Sequence, residues 1–268
     1  MKIRLLGTGA ADGIPALFGD DRVSTYARKH GGKDVRTRTA AIIDDHIQID
    51  LPPDTHFQLL REKLNPNDWT ALIFTHSDDD HCAIEEIQYA LTPFTESDHL
   101  PFPIYSNVVV GDMLRARYPD WPMELIETHS YECYEHLGYR ITPVEATHIP
   151  GEDCHNLLFQ KNGKTLLYAT DTGIWNEDTW RFLNNFKVDL LILECTDGFD
   201  PTPYEGHLDI KECVEVVERL RASGILKPDS KVVTTHHSAR GLAIHCELEQ
   251  ALNPHGIEVG YDGLVVEA

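Results

Sequence analysis

The chain has 268 residues, and its 23 Lys and Arg against 44 Asp and Glu give a formal charge of −21. A hydrophobic fraction of 41% with a mean hydropathy of −0.32 is ordinary globular composition and excludes a disordered or collagen-like chain. No apolar run exceeds four residues, where a membrane span needs roughly 20, and so acidic a surface repels long nucleic acids while leaving room for a small anion drawn to a metal ion.

The chain turns glycine-rich at Gly7, before any signal-peptide core could form, so the cytoplasm is the expected location. Taken in chain order, apolar β-rich runs bounded by Gly, Pro, Asn and Asp predict strands at 3–6, 39–43, 46–50, 71–75, 103–105, 139–146, 156–160, 165–169, 189–194, 231–235, 257–261 and 264–266. Helical spacing predicts helices at 55–64, 81–91, 108–118, 176–185, 209–223 and 242–252. The fifth is the best marked: Ile210, Cys213, Val214, Val217 and Leu220 form one face, Asp209 and Glu212 a capping box, and Gly224 a left-handed stop. No linker or repeat divides the chain, so residues 1–268 read as one layered α/β domain with two sheets inside and helices outside. Residues 7–38 show little periodicity and read as a long functional loop, with 92–100 as a second loop that shapes specificity.

Six scattered cysteines without a C-x-x-C pair support neither a disulfide framework nor a four-thiolate zinc site. The fifteen histidines are the more informative ligands. Directly after the apolar strand at 71–75 comes Thr75-His76-Ser77-Asp78-Asp79-Asp80-His81. In an extended segment His76, Asp78 and Asp80 share one side, and His81, opening the next helix, turns back towards the same point. Helix capping would explain one carboxylate here, but two histidines around three carboxylates are a transition-metal donor set. His148, Asp171 and His236 each stand just after a predicted strand, which would bring them to the same sheet edge.

The passage resembles the H-x-H-x-D-H signature of the metallo-β-lactamase superfamily, with Asp78 where the second histidine usually stands. Gly7-Thr8-Gly9 with Asp12-Gly13-Ile14-Pro15 is similar to the opening of the branch containing PhnP-like phosphodiesterases and RNase Z. Thr147-His148, Thr170-Asp171-Thr172-Gly173 and Thr235-His236-His237-Ser238 match its later motifs in order. The resemblance implies a four-layer αββα sandwich with two mixed sheets. It also implies a binuclear site, one metal on His76, Asp78 and His148, the other on Asp80, His81 and His236, with Asp171 bridging. His236 and His237 compete for one position; if the strand continues, only one of the two neighbours faces the metals, and the family's order favours His236. His207, before the well-capped helix, is a candidate proton donor, Asp80 a second catalytic candidate, and Glu194 a candidate orienter of a ligand histidine.

Two departures from the pattern matter. Asp78 adds a hard oxygen, so that three carboxylates leave two divalent ions with a formal charge of about +1, and the metal preference among Mn²⁺, Zn²⁺ and Fe²⁺ shifts towards manganese. The 7–38 segment lacks the cysteines that hold a structural zinc in PhnP-like members, and its Arg36 and Arg38 could clamp a substrate phosphate or pair with carboxylates. The expected activity is hydrolysis of a small phosphodiester, cyclic or nucleotide-like, by a metal-bridging hydroxide. Lactone, thioester or other carboxyl-ester hydrolysis is the alternative, and a non-catalytic metal-binding or regulatory protein the second. The expected partner is a small-molecule substrate, with neither long nucleic acid nor membrane, and a homodimer is allowed.

Overall fold

The computed structural model describes residues 1–97 and 100–268, so the last part of the 92–100 loop, residues 98 and 99, lies outside the described residues. Two seven-stranded mixed sheets form the centre. In the first, β14 (Val265–Glu267), β1 (Lys2–Gly7), β2 (Ala40–Ile43) and β3 (Ile47–Ile49) run antiparallel. They continue in parallel through β4 (Ala71–Ile73), β5 (Ile104–Ser106) and β6 (Leu125–Glu127). The second sheet repeats that plan: β7 (Tyr134–His136), β8 (Tyr139–Glu145), β9 (His155–Lys161) and β10 (Lys164–Ala169) are antiparallel. The strands β11 (Val188–Glu194), β12 (Leu226–Thr235) and β13 (Glu258–Val259) then run parallel to β10.

The central strands are apolar along their whole length because both faces are buried. On β11, Leu190 and Ile192 point between the sheets while Leu191 and Leu193 point outward beneath helices, and on β10 Leu166 and Tyr168 alternate in the same way with Leu167 and Ala169. Outside the first sheet lie α2 (Thr55–Glu62) and α3 (Val108–Arg117), with Leu59, Val110 and Leu114 in a core shared with Leu72 and Phe74. Outside the second lie α4 (Glu177–Leu183), α5 (Ile210–Ala222) and α6 (His245–Leu252). The order is helix, sheet, sheet, helix, the four-layer αββα sandwich.

The helix at 209–223 forms as its pattern predicts, with the Asp209–Glu212 capping box closed and Gly224 at φ 69°. Three expectations are corrected. Residues 7–38 are not one loop, because α1 (Arg22–His30) stands inside them, capped by Asp21 on the Ser24 amide. No α-helix spans 81–91: Asp78 O accepts from the amides of His81 and Cys82 in a tight turn, and Ile84–Ala90 is a 3₁₀ run. The three-residue edge strands β6 and β7 carry no predicted counterpart.

Candidate metal centre

The site lies where parallel strands of both sheets end, the usual ligand-binding edge of α/β sheets. Asp50 follows β3, Thr75 and His76 follow β4, Asp171 follows β10, Glu194 ends β11 and His236 follows β12. Asp50, Asp171 and His236 all adopt left-handed backbone, at φ 59°, 49° and 55°. Such conformations cost energy in non-glycine residues and gather at functional sites, where the surrounding structure holds them. The left-handed turn also settles which neighbour faces inward. β12 stops at Thr235, His236 swings into the site, and His237 is buried on the far side near Arg36 and His245.

Each of four imidazoles is fixed through Nδ1, and the hydrogen-bond network assigns the tautomers. His81 donates Nδ1–H to Asp50 Oδ2 at 2.7 Å, and His76 to Thr75 Oγ1 at 2.9 Å, while that hydroxyl donates to Asp50. His236 donates to Thr196 Oγ1 at 2.8 Å, whose hydroxyl donates to Glu194 at 2.6 Å. His148 donates to the carbonyl of Gly206 at 3.1 Å. All four therefore turn Nε2 to one point, against Asp78, Asp80 and Asp171. His76, His81, Asp80, Asp171 and His236 are buried; the Asp78 side chain is half exposed.

The spacing of these donors tests whether a metal suits them. Nitrogen and oxygen ligands about 2.05 Å from one tetrahedral ion stand about 3.3 Å from each other. Here Nε2 of His81 lies 3.4 Å from Asp80 Oδ2 and 3.4 Å from His236 Nε2, and His236 lies 3.7 Å from Asp80. Around the second point, Asp78 Oδ2 lies 3.6 Å from His76 and 3.2 Å from His148. Asp171 serves both, with one oxygen 3.0 Å from His81 and the other 3.2 Å from His236 and 3.7 Å from His148. Yet His76 Nε2 and Asp171 Oδ2 make no hydrogen bond among the described residues; the 3.0 Å approach of His81 to Asp171 is off hydrogen-bond geometry. Buried polar atoms crowded together without protein partners suit a shared cation. Donor triads His76–His148–Asp171 and Asp80–His81–His236 each gather within 4.8 Å, and the residues fit two divalent cations.

Electrostatics agree. Burial works against the charge on Asp80 and Asp171, but His81 and His236 hold both carboxyls well below the usual range. Burial likewise opposes protonation of His81, and Asp171, Asp80 and Asp50 outweigh it. The cluster collects positive charge, as a cation site must.

His207 stands beside this cluster. It donates Nδ1–H to Glu194 at 2.9 Å, and it too lies within 4.8 Å of donors on Asp171 and His236. Burial lowers its basicity, but the buried Glu194 carboxylate prevails and raises its pKa to about 9. Asp78, Tyr204, His207, Ser238 and Arg240 line an open cleft of about 520 Å³ over the metal donors, room for a small molecule.

The structure thus brings together all seven predicted donors with His207 and Glu194. Arg36 is a correction: it is buried, donating to Thr8 Oγ1, Gly260 O and His245 Nδ1, it does not line the cleft, and it pairs with no carboxylate among the described residues. Arg38 pairs with Asp54 at 3.2 Å. The sequence reading missed Asp50, Thr196 and Tyr204. Asp50 was detectable as a carboxylate ending the strand beside 71–75, whereas no pattern marks the other two.

A model of the beta-lactamase superfamily domain matches residues 46–237. No curated protein matches the sequence. Among solved structures, a diphosphatase from the PhnP family superposes with a TM-score of 0.79 at 24% identity, covering 100% of this chain and 97% of that one. Zn²⁺-bound PqqB from Methylobacterium extorquens gives 0.78 at 15%, with both chains covered in full. The short form of human tRNase Z gives 0.66 at 18%, covering 100% and 99%. At these identities the likeness is one of fold. With the matched segment spanning most of its length, the chain belongs to the beta-lactamase superfamily domain family, the metallo-β-lactamase superfamily.

Proposed function

We propose that this protein is a binuclear metal-dependent hydrolase of a small phosphodiester. One ion would be held by His76, Asp78, His148 and Asp171, the other by Asp80, His81, His236 and Asp171. The observation that carries the reading is the convergence of four Nε2 atoms and three carboxylates at ligand-to-ligand spacing, two of those buried atoms otherwise unsatisfied. Divalent cations bound there supply Lewis acidity and bring the pKa of water near neutrality. The chain's residues do the rest. Glu194 accepts the Nδ1–H of His207 at 2.9 Å and favours its protonated form, which orients the ring as a proton donor to the departing alkoxide. Arg240, a cation in the cleft lining that no ion pair engages among the described residues, favours an anionic substrate.

Carboxyl-ester cleavage is the second reading, supported by Asp78, whose charge weakens the hold on a phosphate. Assays with added Mn²⁺ separate the two. Release of p-nitrophenolate from bis(p-nitrophenyl) phosphate, abolished by a chelator, is expected. Turnover confined to lactones or thioesters would overturn the phosphodiester reading.

A further inference from the structure

Three of the four inward-facing histidines are anchored in the body of the fold. His76 and His81 rest on Thr75 and the fully buried Asp50, and His236 rests on Thr196 and the fully buried Glu194. His148 differs. Its Nδ1–H goes to the carbonyl of Gly206, with the Tyr204 hydroxyl 3.3 Å away, and that hydroxyl donates to the His148 carbonyl at 3.0 Å. Both groups belong to the surface strap 197–206, on which Phe199, Pro201, Tyr204 and Glu205 are exposed.

The strap is shaped to make this contact. Asp197 Oδ2 accepts from the amide and hydroxyl of Thr202 at 2.8 and 2.9 Å, closing a tight turn before Tyr204. A Cβ at Gly206 would stand 2.5 Å from the Tyr204 ring, so glycine lets the ring fold back over it. A Cβ at Gly173 would stand 1.8 Å from Glu205 O, so the strap seats directly on the turn after Asp171. Thr202, Pro203, Tyr204 and His207 also line the cleft, so whatever enters it touches the strap.

We infer that Tyr204 is a positioning residue for His148, and that the strap makes the metal position of His76, Asp78 and His148 weaker and adjustable while leaving that of Asp80, His81 and His236 rigid. Orienting partners of ligand histidines set metal affinity by about 10- to 100-fold. Here that control rests with an exposed segment for His148, whereas Thr196, the cleft-lining partner of His236, is itself tied to the buried Glu194. By linkage, a cleft ligand that shifts the strap changes affinity at this position, and metal at this position changes affinity for the cleft ligand by the same factor.

This inference rests on the reading that the donors hold two divalent ions, and it is tested apart from catalysis. Chelator-stripped full-length protein is titrated with Mn²⁺ by calorimetry as wild type, Tyr204→Phe and Asp50→Asn, alongside the melting temperature of each stripped protein. The wild type gives a tight and a weak phase. Tyr204→Phe weakens the weak phase alone, by about tenfold, without moving the melting temperature, whereas Asp50→Asn, which loses the anchor of His81 directly and of His76 through Thr75, weakens both phases. Phases unchanged or both weakened alike in Tyr204→Phe, or one binding phase in the wild type, would overturn the inference. Two strap-sensitive phases in a protein that turns over no phosphodiester would defeat the hydrolase reading and leave this one standing.

Discussion

Glu194 and His207 are joined at 2.9 Å, and the same carboxylate reaches His236 through Thr196, so one buried anion steadies both a candidate acid and a candidate ligand. Its two oxygens also take the amides of Thr172, Thr196 and Leu208, which makes it the hub of the second sheet's share of the site.

If His207 protonates the leaving group, its value depends on how much the leaving group needs a proton. His207→Asn should lower kcat by about 100-fold or more for diesters with alkyl leaving groups. The loss should be far smaller for bis(p-nitrophenyl) phosphate, since p-nitrophenolate leaves unaided. A steeper dependence of log kcat on leaving-group pKa in the variant is the readout; parallel lines would place His207 outside proton transfer. Glu194→Gln should shift in the same direction and also loosen metal through His236.

Asp78 stands 3.2 Å from His148 and remains half exposed, which makes it the donor most open to exchange. Asp78→His should raise retention of zinc relative to manganese, because a softer nitrogen replaces a hard oxygen. Metal analysis of both proteins after dialysis against equal Zn²⁺ and Mn²⁺ measures it, and an unchanged ratio would count against Asp78 as a ligand.

Arg240→Ala should raise KM for phosphodiesters by about tenfold with a smaller effect on kcat. A charge-assisted hydrogen bond is worth about 1.5–3 kcal/mol, and this one, being exposed, belongs at the low end. Initial rates across substrate concentration test this. Equal KM values would remove Arg240 from substrate binding.

Far from the cleft, His46 and His136 share Thr70 Oγ1 as a partner at 2.9 and 3.1 Å. Burial lowers the pKa of both below the ordinary imidazole value of about 6.5, and for His136 the charge of His46 adds to it. Both are neutral in the fold and take up protons more readily once unfolded. Stability is therefore whole above about pH 6.5 and declines as pH falls below it towards the depressed folded values. Urea midpoints at pH 7.5 and 5.5 should differ more for wild type than for a His46→Gln/His136→Gln variant. Equal differences would show that the pair contributes nothing to acid sensitivity.

What the sequence disclosed follows from burial. Strands such as 165–169 and 189–194 are covered on both faces and read as unbroken apolar runs, and the 209–223 helix carries both its face and its caps in plain residues. The edge strand Tyr134–His136, half exposed and polar, has no alternation to read. In α1 only Val23 and Ala27 are buried apolar anchors, too few for a helical stripe, although Asp21 ahead of it and Arg28 to His30 at its end were visible end signals. At the site, the donors were legible because each follows a strand. Strand alternation admits only one of His236 and His237 and the family's order favours His236, yet the structure turns His236 inward by a left-handed residue that alternation does not describe. Tyr204 was invisible because its role exists only where the strap meets His148 in space.

The central claim is that His76, Asp78, Asp80, His81, His148, Asp171 and His236 enclose two cations. Anomalous difference maps at the manganese and zinc edges, from a crystal grown with both metals, test it most directly. The account predicts two peaks, one bonded by Asp80, His81 and His236, the other by His76 and His148, with Asp171 touching both. A single peak, or peaks remote from Asp171, would contradict it.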